Sequence, residues 1–159
     1  MLRQGEKAPD IELKISDEES IRLSEPGRII VLFFYPKAFS KICTAELCQV
    51  RNVYSSFQST EAMIIGISRD SEKTQAQFKS QYNLPFSLLT DHNGSIAKSF
   101  GVTFGSGLIP LTLRATFVID GAGNIRLALK NMLDAEIHVK KALAVVEQLV
   151  SEREPSNIA

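Results

Sequence analysis

The chain holds two cysteines, Cys43 and Cys48, five residues apart within the stretch Phe33-Phe34-Tyr35-Pro36-Lys37-Ala38-Phe39-Ser40-Lys41-Ile42-Cys43-Thr44-Ala45-Glu46-Leu47-Cys48. A cysteine reacts as its thiolate, so what matters is what surrounds the sulfur. An unbroken apolar run, Ile29 to Tyr35, stops at Pro36, crosses a short polar segment and gives way to a helical pattern from about Ile42. Strand, loop and helix in that order set Cys43 in the first turn of a helix. Backbone N–H groups there lack intrahelical partners and the dipole end is positive, and both favour a thiolate over a thiol. Lys41 is a further cation beside it.

At about 100° per residue, Cys43, Leu47, Val50, Tyr54 and Phe57 fall within roughly 40° of one another and form a core-facing stripe. Cys48 lies roughly 140° around the helix and projects away from that stripe. Two cysteines so close do not make a disulfide framework, and in a reducing compartment they read as catalytic or redox-sensing. Four residues between them is not zinc-finger spacing, and His92 and His138 stand apart from each other and from both cysteines in sequence, so no metal is expected. Taken alone, Cys43 reads equally well as an inert buried hydrophobe.

Context decides between these readings. Pro36, Ser40 and Cys43 follow the order proline, three residues, Ser or Thr, two residues, cysteine, and so resemble the active-site pattern of the peroxiredoxins. The second cysteine, five residues on, is similar to the peroxiredoxin Q or bacterioferritin comigratory protein branch. The likeness continues through Gly66-Ile67-Ser68-Arg69-Asp70-Ser71, Leu84-Pro85-Phe86-Ser87-Leu88-Leu89-Thr90-Asp91 and Arg114-Ala115-Thr116-Phe117-Val118-Ile119-Asp120, from about Gly5 to Leu149.

The resemblance implies a thiol-dependent peroxidase that reduces hydrogen peroxide and organic hydroperoxides without a cofactor. Cys43 would attack the O–O bond and become a sulfenic acid. Ser40 would hydrogen-bond the peroxide and the thiolate, and Pro36 would shield the site from water. Arg114 would stabilise the thiolate and the leaving oxygen, with Glu46 orienting it. Cys48 would resolve the sulfenic acid as an intramolecular disulfide, returned to the dithiol by thioredoxin or a similar thiol reductant. A monomer is expected, a weak dimer being the alternative.

That pairing predicts a conformational step. Residues five apart in an intact helix have Cα atoms roughly 8.6 Å apart, whereas a disulfide tolerates at most about 7 Å. The first turns of an Ile42 to Phe57 helix must therefore unwind in each cycle. One departure stands out: Lys41-Ile42 replaces the Pro-Gly common in this branch, and β-branched Ile42 lacks the backbone freedom of glycine.

Each position also has a plainer reading: Cys48 as a surface thiol, Arg114 as a strand-edge ion pair, Ser40 as only a helix cap, Glu46 as a solvated helix residue. Two rival functions follow. A thiol–disulfide oxidoreductase would use a Cys-x-x-Cys pair, which the sequence lacks. A redox sensor would form the disulfide without needing Ser40 and Arg114.

The elements that position these residues can be read in order. Ile11 to Ile15 and Ser20 to Leu23 alternate and predict a hairpin at the sheet edge, and Pro26-Gly27 turns into the strand Arg28 to Tyr35. Ala62 to Ser68 reads as a strand buried on both faces, completing a βαβ unit. Asp70 or Ser71 caps the next helix, and Ser87 to Thr90 is a short strand. Asp91 to Gly94 turns into a short helix ending at Phe100, and Gly101 to Leu113 reads as a long loop beside the site. Ala115 to Ile119 and Ile125 to Leu129 form a hairpin, and Asp134 caps a last helix, with a frayed tail from about 151.

Together these predict one α/β domain over 1–159; the resemblance makes it a thioredoxin-like fold, a central mixed sheet flanked by helices with an N-terminal β-hairpin. Lys plus Arg equals Asp plus Glu at 18 each, which provides no basic field for nucleic acid or anionic lipid, so neither is expected as a partner. Met1 to Asp10 offers no h-region and the chain has no 18-residue apolar run. A cytoplasmic location is expected, or an organelle if a transit peptide has been removed.

Overall fold

The computed structural model describes residues 1–105 and 111–153. β1 (Glu12–Lys14) and β2 (Ser20–Arg22) pair antiparallel. β3 (Ile30–Phe34) leads through a loop into α1 (Lys41–Asn52) and α2 (Tyr54–Gln58), then β4 (Met63–Ser68), α3 (Glu72–Gln81), β5 (Ser87–Thr90) and α4 (Ser95–Phe100). The short strands β6 (Thr103–Phe104) and β7 (Leu111–Thr112) follow, then β8 (Ala115–Ile119), β9 (Ile125–Lys130) and α5 (Ala135–Arg153).

Five strands form the central sheet in the order β5-β4-β3-β8-β9. β3 pairs parallel with β4 and antiparallel with β8, so the sheet is mixed, as expected. Alternation along the strands divides the core in two. Val31 and Phe33 face Leu47, Val50, Phe57 and the buried side of α5, whereas Ile30, Leu32 and Phe34 face Leu13, Ile21, Ala97 and Phe100. The same alternation on β8 turns Val118 toward α1 and α5, and Thr116 with it, where it meets His138 of α5. The pattern thus sends three residues of one strand and its lead-in, Arg114, Thr116 and Val118, to the helical side that carries the cysteines.

Several expectations are corrected. The N-terminal hairpin is a separate two-stranded sheet laid over the core by Leu13 and Ile21, not an edge of the main sheet. The helix expected over Ile42 to Phe57 is broken at Val53, whose φ of −110° and ψ of 16° depart from helical geometry. Within the segment read as a loop, β6 pairs with β7; residues 106–110 lie outside the described ones. α5 remains helical through Arg153, past the expected start of the tail, and 154–159 lie outside the described residues. Of the two caps expected for α3, Ser71 is the one that serves, accepting from Thr74 N at 3.1 Å. Among the described residues no helix is long and apolar enough to cross a membrane.

Candidate active site

β3 delivers the chain to Tyr35 and the loop Pro36 to Ser40, which neighbouring elements hold from below. Tyr35 OH donates to Gln75 Oε1 at 2.6 Å, and Gln75 Nε2 donates to Ser68 Oγ at 2.9 Å. Asp70 Oδ2, just beyond β4, accepts from the Ser68 hydroxyl at 2.6 Å and from Ala38 N at 2.8 Å. A carboxylate on a backbone N–H is among the stronger hydrogen bonds. Asp70 therefore fixes the loop from the end of the neighbouring strand, a role its place in sequence did not reveal.

Phe39 occupies a left-handed conformation with φ 67°. For a residue with a Cβ this costs about 1–2 kcal/mol. Its ring, 5.0 Å from that of Phe78 and 6.3 Å from that of Tyr82 by centroids, holds the conformation against α3.

Ser40 follows at the N-cap position of α1, but its side chain makes no cap; the hydroxyl donates to Lys37 O at 2.8 Å. Pro36 is half-buried at the head of the loop. Cys43, in the first turn of α1, has no exposed surface, and Cys48 is half-buried; both are free thiols. Of the predicted core stripe, Cys43, Leu47, Val50 and Phe57 are fully buried and Tyr54 partly so.

Arg114 reaches this turn from the lead-in to β8. Nη2 lies 3.0 Å from Cys43 Sγ, Nη1 donates to Glu46 Oε1 at 2.8 Å, and Nε donates to Met132 O at 3.1 Å. Arg114 is 3% exposed and Glu46 0%, so this is a desolvated pair rather than a solvated helix carboxylate. Burial pushes the Glu46 carboxyl up to about 7, against the pull of the Arg114 charge and hydrogen bond. Residues 71 apart in sequence, Cys43 and Arg114, are thus joined by a charged hydrogen bond between two buried side chains.

Behind Glu46 stands His138, whose remoteness in sequence had set it aside. Its Nδ1 lies 4.0 Å from Glu46 Oε2 and 2.7 Å from Thr116 Oγ1, and its Nε2 lies 2.7 Å from Asn131 O. A carbonyl only accepts, so Nε2 carries a proton and Nδ1 of the neutral ring accepts from Thr116. Burial holds the imidazole below its ordinary pKa, the Arg114 charge acting in the same direction, while the Asn131 hydrogen bond and the Asp134 charge oppose both.

Sequence and structure comparisons show which family the chain resembles over its length. Residues 4–128 match the AhpC/TSA family. Peroxiredoxin Bcp of Bacillus subtilis is 38% identical over 153 residues, covering 91% of this chain and 95% of that one. The chloroplastic peroxiredoxin Q of Oryza sativa subsp. japonica is 33% identical over 150 residues, covering 92% and 67%. Among solved structures, peroxidoxin BcpB from Mycobacterium tuberculosis superposes with a TM-score of 0.83 at 33% identity, over 94% of this chain and 99% of that one. Such agreement over nearly the whole length, around a cysteine at a helix start with an arginine on its sulfur, makes this chain a member of the AhpC/TSA family and a thiol-dependent peroxidase of the peroxiredoxin kind.

Proposed function

We propose that Cys43 is the peroxidatic cysteine and that Cys48 resolves it. The observation that carries this reading is the 3.0 Å contact between Arg114 Nη2 and Cys43 Sγ. A guanidinium donor on sulfur favours the thiolate, and the same N–H groups stabilise negative charge that develops on an oxygen brought to that sulfur. The thiolate attacks one oxygen of hydrogen peroxide or an organic hydroperoxide, the O–O bond breaks, and the other oxygen leaves with a proton as water or alcohol. Sulfur retains one oxygen as a sulfenic acid.

Ser40 serves the incoming peroxide by releasing Lys37 O, since its single hydroxyl proton cannot serve both acceptors. Pro36 has no N–H to draw water to the loop. Glu46 holds Arg114 Nη1 while Nη2 points at sulfur.

Cys48 then attacks the sulfenic sulfur and expels its oxygen as water, forming the disulfide. Both cysteines lie in one continuous helix, α1, so this step unwinds its first turns. The strained Phe39 and a capping position without a side-chain cap are where unwinding starts. A thioredoxin-type dithiol reduces the disulfide, and a monomer in a reducing cytoplasm suffices, because both sulfurs are in one chain.

The test is peroxide consumption coupled to thioredoxin. Cys43→Ser should abolish it. Cys48→Ser should retain one rapid turnover and then stop. Undiminished consumption by Cys43→Ser would reject the assignment.

A further inference from the structure

Glu46 Oε2 is the unexplained atom of this site. It is fully buried, has no hydrogen-bond partner among the described residues, and lies 4.0 Å from His138 Nδ1. A bare carboxylate oxygen in that position is uncompensated, whereas a protonated one is an O–H donor facing an imidazole lone pair. His138 can receive it. Its Nε2 is already committed as donor to Asn131 O, which leaves Nδ1 as the acceptor; the Thr116 hydroxyl now on Nδ1 is a free rotor that can turn away.

We propose that Glu46 and His138 hold one proton between them behind Arg114, which makes His138 a positioning residue for the peroxidase site. While the proton is held, the pair carries no net charge and the Arg114 guanidinium serves the Cys43 sulfur. When the proton leaves, the Glu46 carboxylate competes with Cys43 for that same guanidinium, and two negative groups share one buried cation. His138 touches neither sulfur nor peroxide, and it acts through Glu46 and Arg114. The inference rests on the peroxidase reading of Cys43.

The surroundings leave the proton with this pair. From α1 come Glu46 and Cys43, and from the lead-in to β8 comes Arg114. α2 brings Tyr54 but no charge. The charged residue of β9 that reaches α5 is Arg126, which binds Glu152 at the far end of that helix, and Lys130 is exposed. On α5 and its approach, Asp134 acts on the ring from a distance, Glu136 pairs with Lys140, and Lys141 is exposed. The buried carboxyl, with a pKa of about 7, loses its proton near neutral pH.

The experiment follows the rate of iodoacetamide alkylation of Cys43 against pH in a Cys48→Ser background. The expected profile has an inflection near pH 7 besides that of the sulfur itself. Glu46→Gln, uncharged at every pH yet still able to accept from Arg114, should remove the inflection. His138→Gln, which can keep both ring contacts but takes no proton, should move it about one pH unit toward acid, a roughly tenfold weaker hold on the proton.

An inflection that is absent from the Cys48→Ser parent, survives Glu46→Gln or stays in place in His138→Gln overturns the proposal. Should the variants fold poorly, nitrogen NMR of His138 in the Cys48→Ser parent decides. Its ring nitrogens should shift with the same midpoint while Nε2 stays protonated, and signals flat through that pH overturn the proposal equally. Alkylation needs no peroxide, so a failure here beside intact peroxide turnover rejects the proton pair alone.

Discussion

Arg114 donates to three acceptors of different kinds: a sulfur, a carboxylate and a backbone carbonyl. Methionine in its place matches its length without any donor, and single-turnover oxidation of Cys43 in Arg114→Met should slow by at least about 10²-fold, as for loss of other preorganised donors. Stability should fall too. At pH 8, where Glu46 without Arg114 must either stay ionised and unpaired or draw a proton from a basic solvent, the expected loss in urea denaturation is about 3–5 kcal/mol, and at pH 5, where the proton is readily available, it should be smaller. Cys43, Arg114 and Glu46 were all legible in the sequence through their motifs. His138 was not, because its role exists only where α5 lies against α1 and β8. A signal for it was present: Ala135, His138, Ala142, Val146 and Leu149 recur at helical spacing and are all buried, so a histidine stands within an apolar stripe.

At the scale of elements, the loop between β3 and α1 carries opposed demands: it must hold Cys43 against Arg114 and also let the first turns of α1 open. Asp70 accepts from Ala38 N, and the Phe39 ring rests on Phe78 and Tyr82, so both oppose opening. Phe39→Ala keeps the strained φ but loses the ring contacts, worth about 0.5–1.5 kcal/mol. Stopped-flow measurement of Cys43–Cys48 disulfide formation should therefore show it faster by about two- to tenfold. Elsewhere the effects should be purely structural. Ser71→Ala removes the α3 cap and should destabilise by about 1 kcal/mol in denaturant melts, leaving peroxide turnover unchanged.

Strands β5, β8 and β9 lie where the sequence predicts them, because short apolar runs bounded by Pro85, Asp91 and the Asp120 to Asn124 turn leave no room for a helix. The break at Val53 and the β6–β7 pair were not legible, since each depends on contacts made by other elements. Phe39 at positive φ was equally hidden, as nothing local favours it.

The whole molecule places its chemistry on one side of the sheet. One face of β3 and β8 packs on the N-terminal hairpin and α4, the other on the helices that carry the site, so a buried charge there is linked to global stability. Glu46 titrates from an ordinary 4.5 to about 7 on folding. The folded state then binds the extra proton, so this contribution is fully present below about pH 4.5 and is lost as pH rises through about 7. His138, held below its ordinary 6.5, acts in the opposite sense: its contribution is present above that value and is lost as pH falls. Comparing urea midpoints of the parent and Glu46→Gln from pH 5 to pH 8 separates the two, and the parent alone should lose stability toward pH 8 relative to the variant.

All of this depends on where peroxide leaves its oxygen. Mass spectrometry after one equivalent of hydrogen peroxide locates it directly: the account predicts a Cys43–Cys48 disulfide in the parent and a single added oxygen on Cys43 in Cys48→Ser. Oxygen on Cys48 in Cys43→Ser at the same rate, or an unmodified Cys43 in Cys48→Ser, would contradict it.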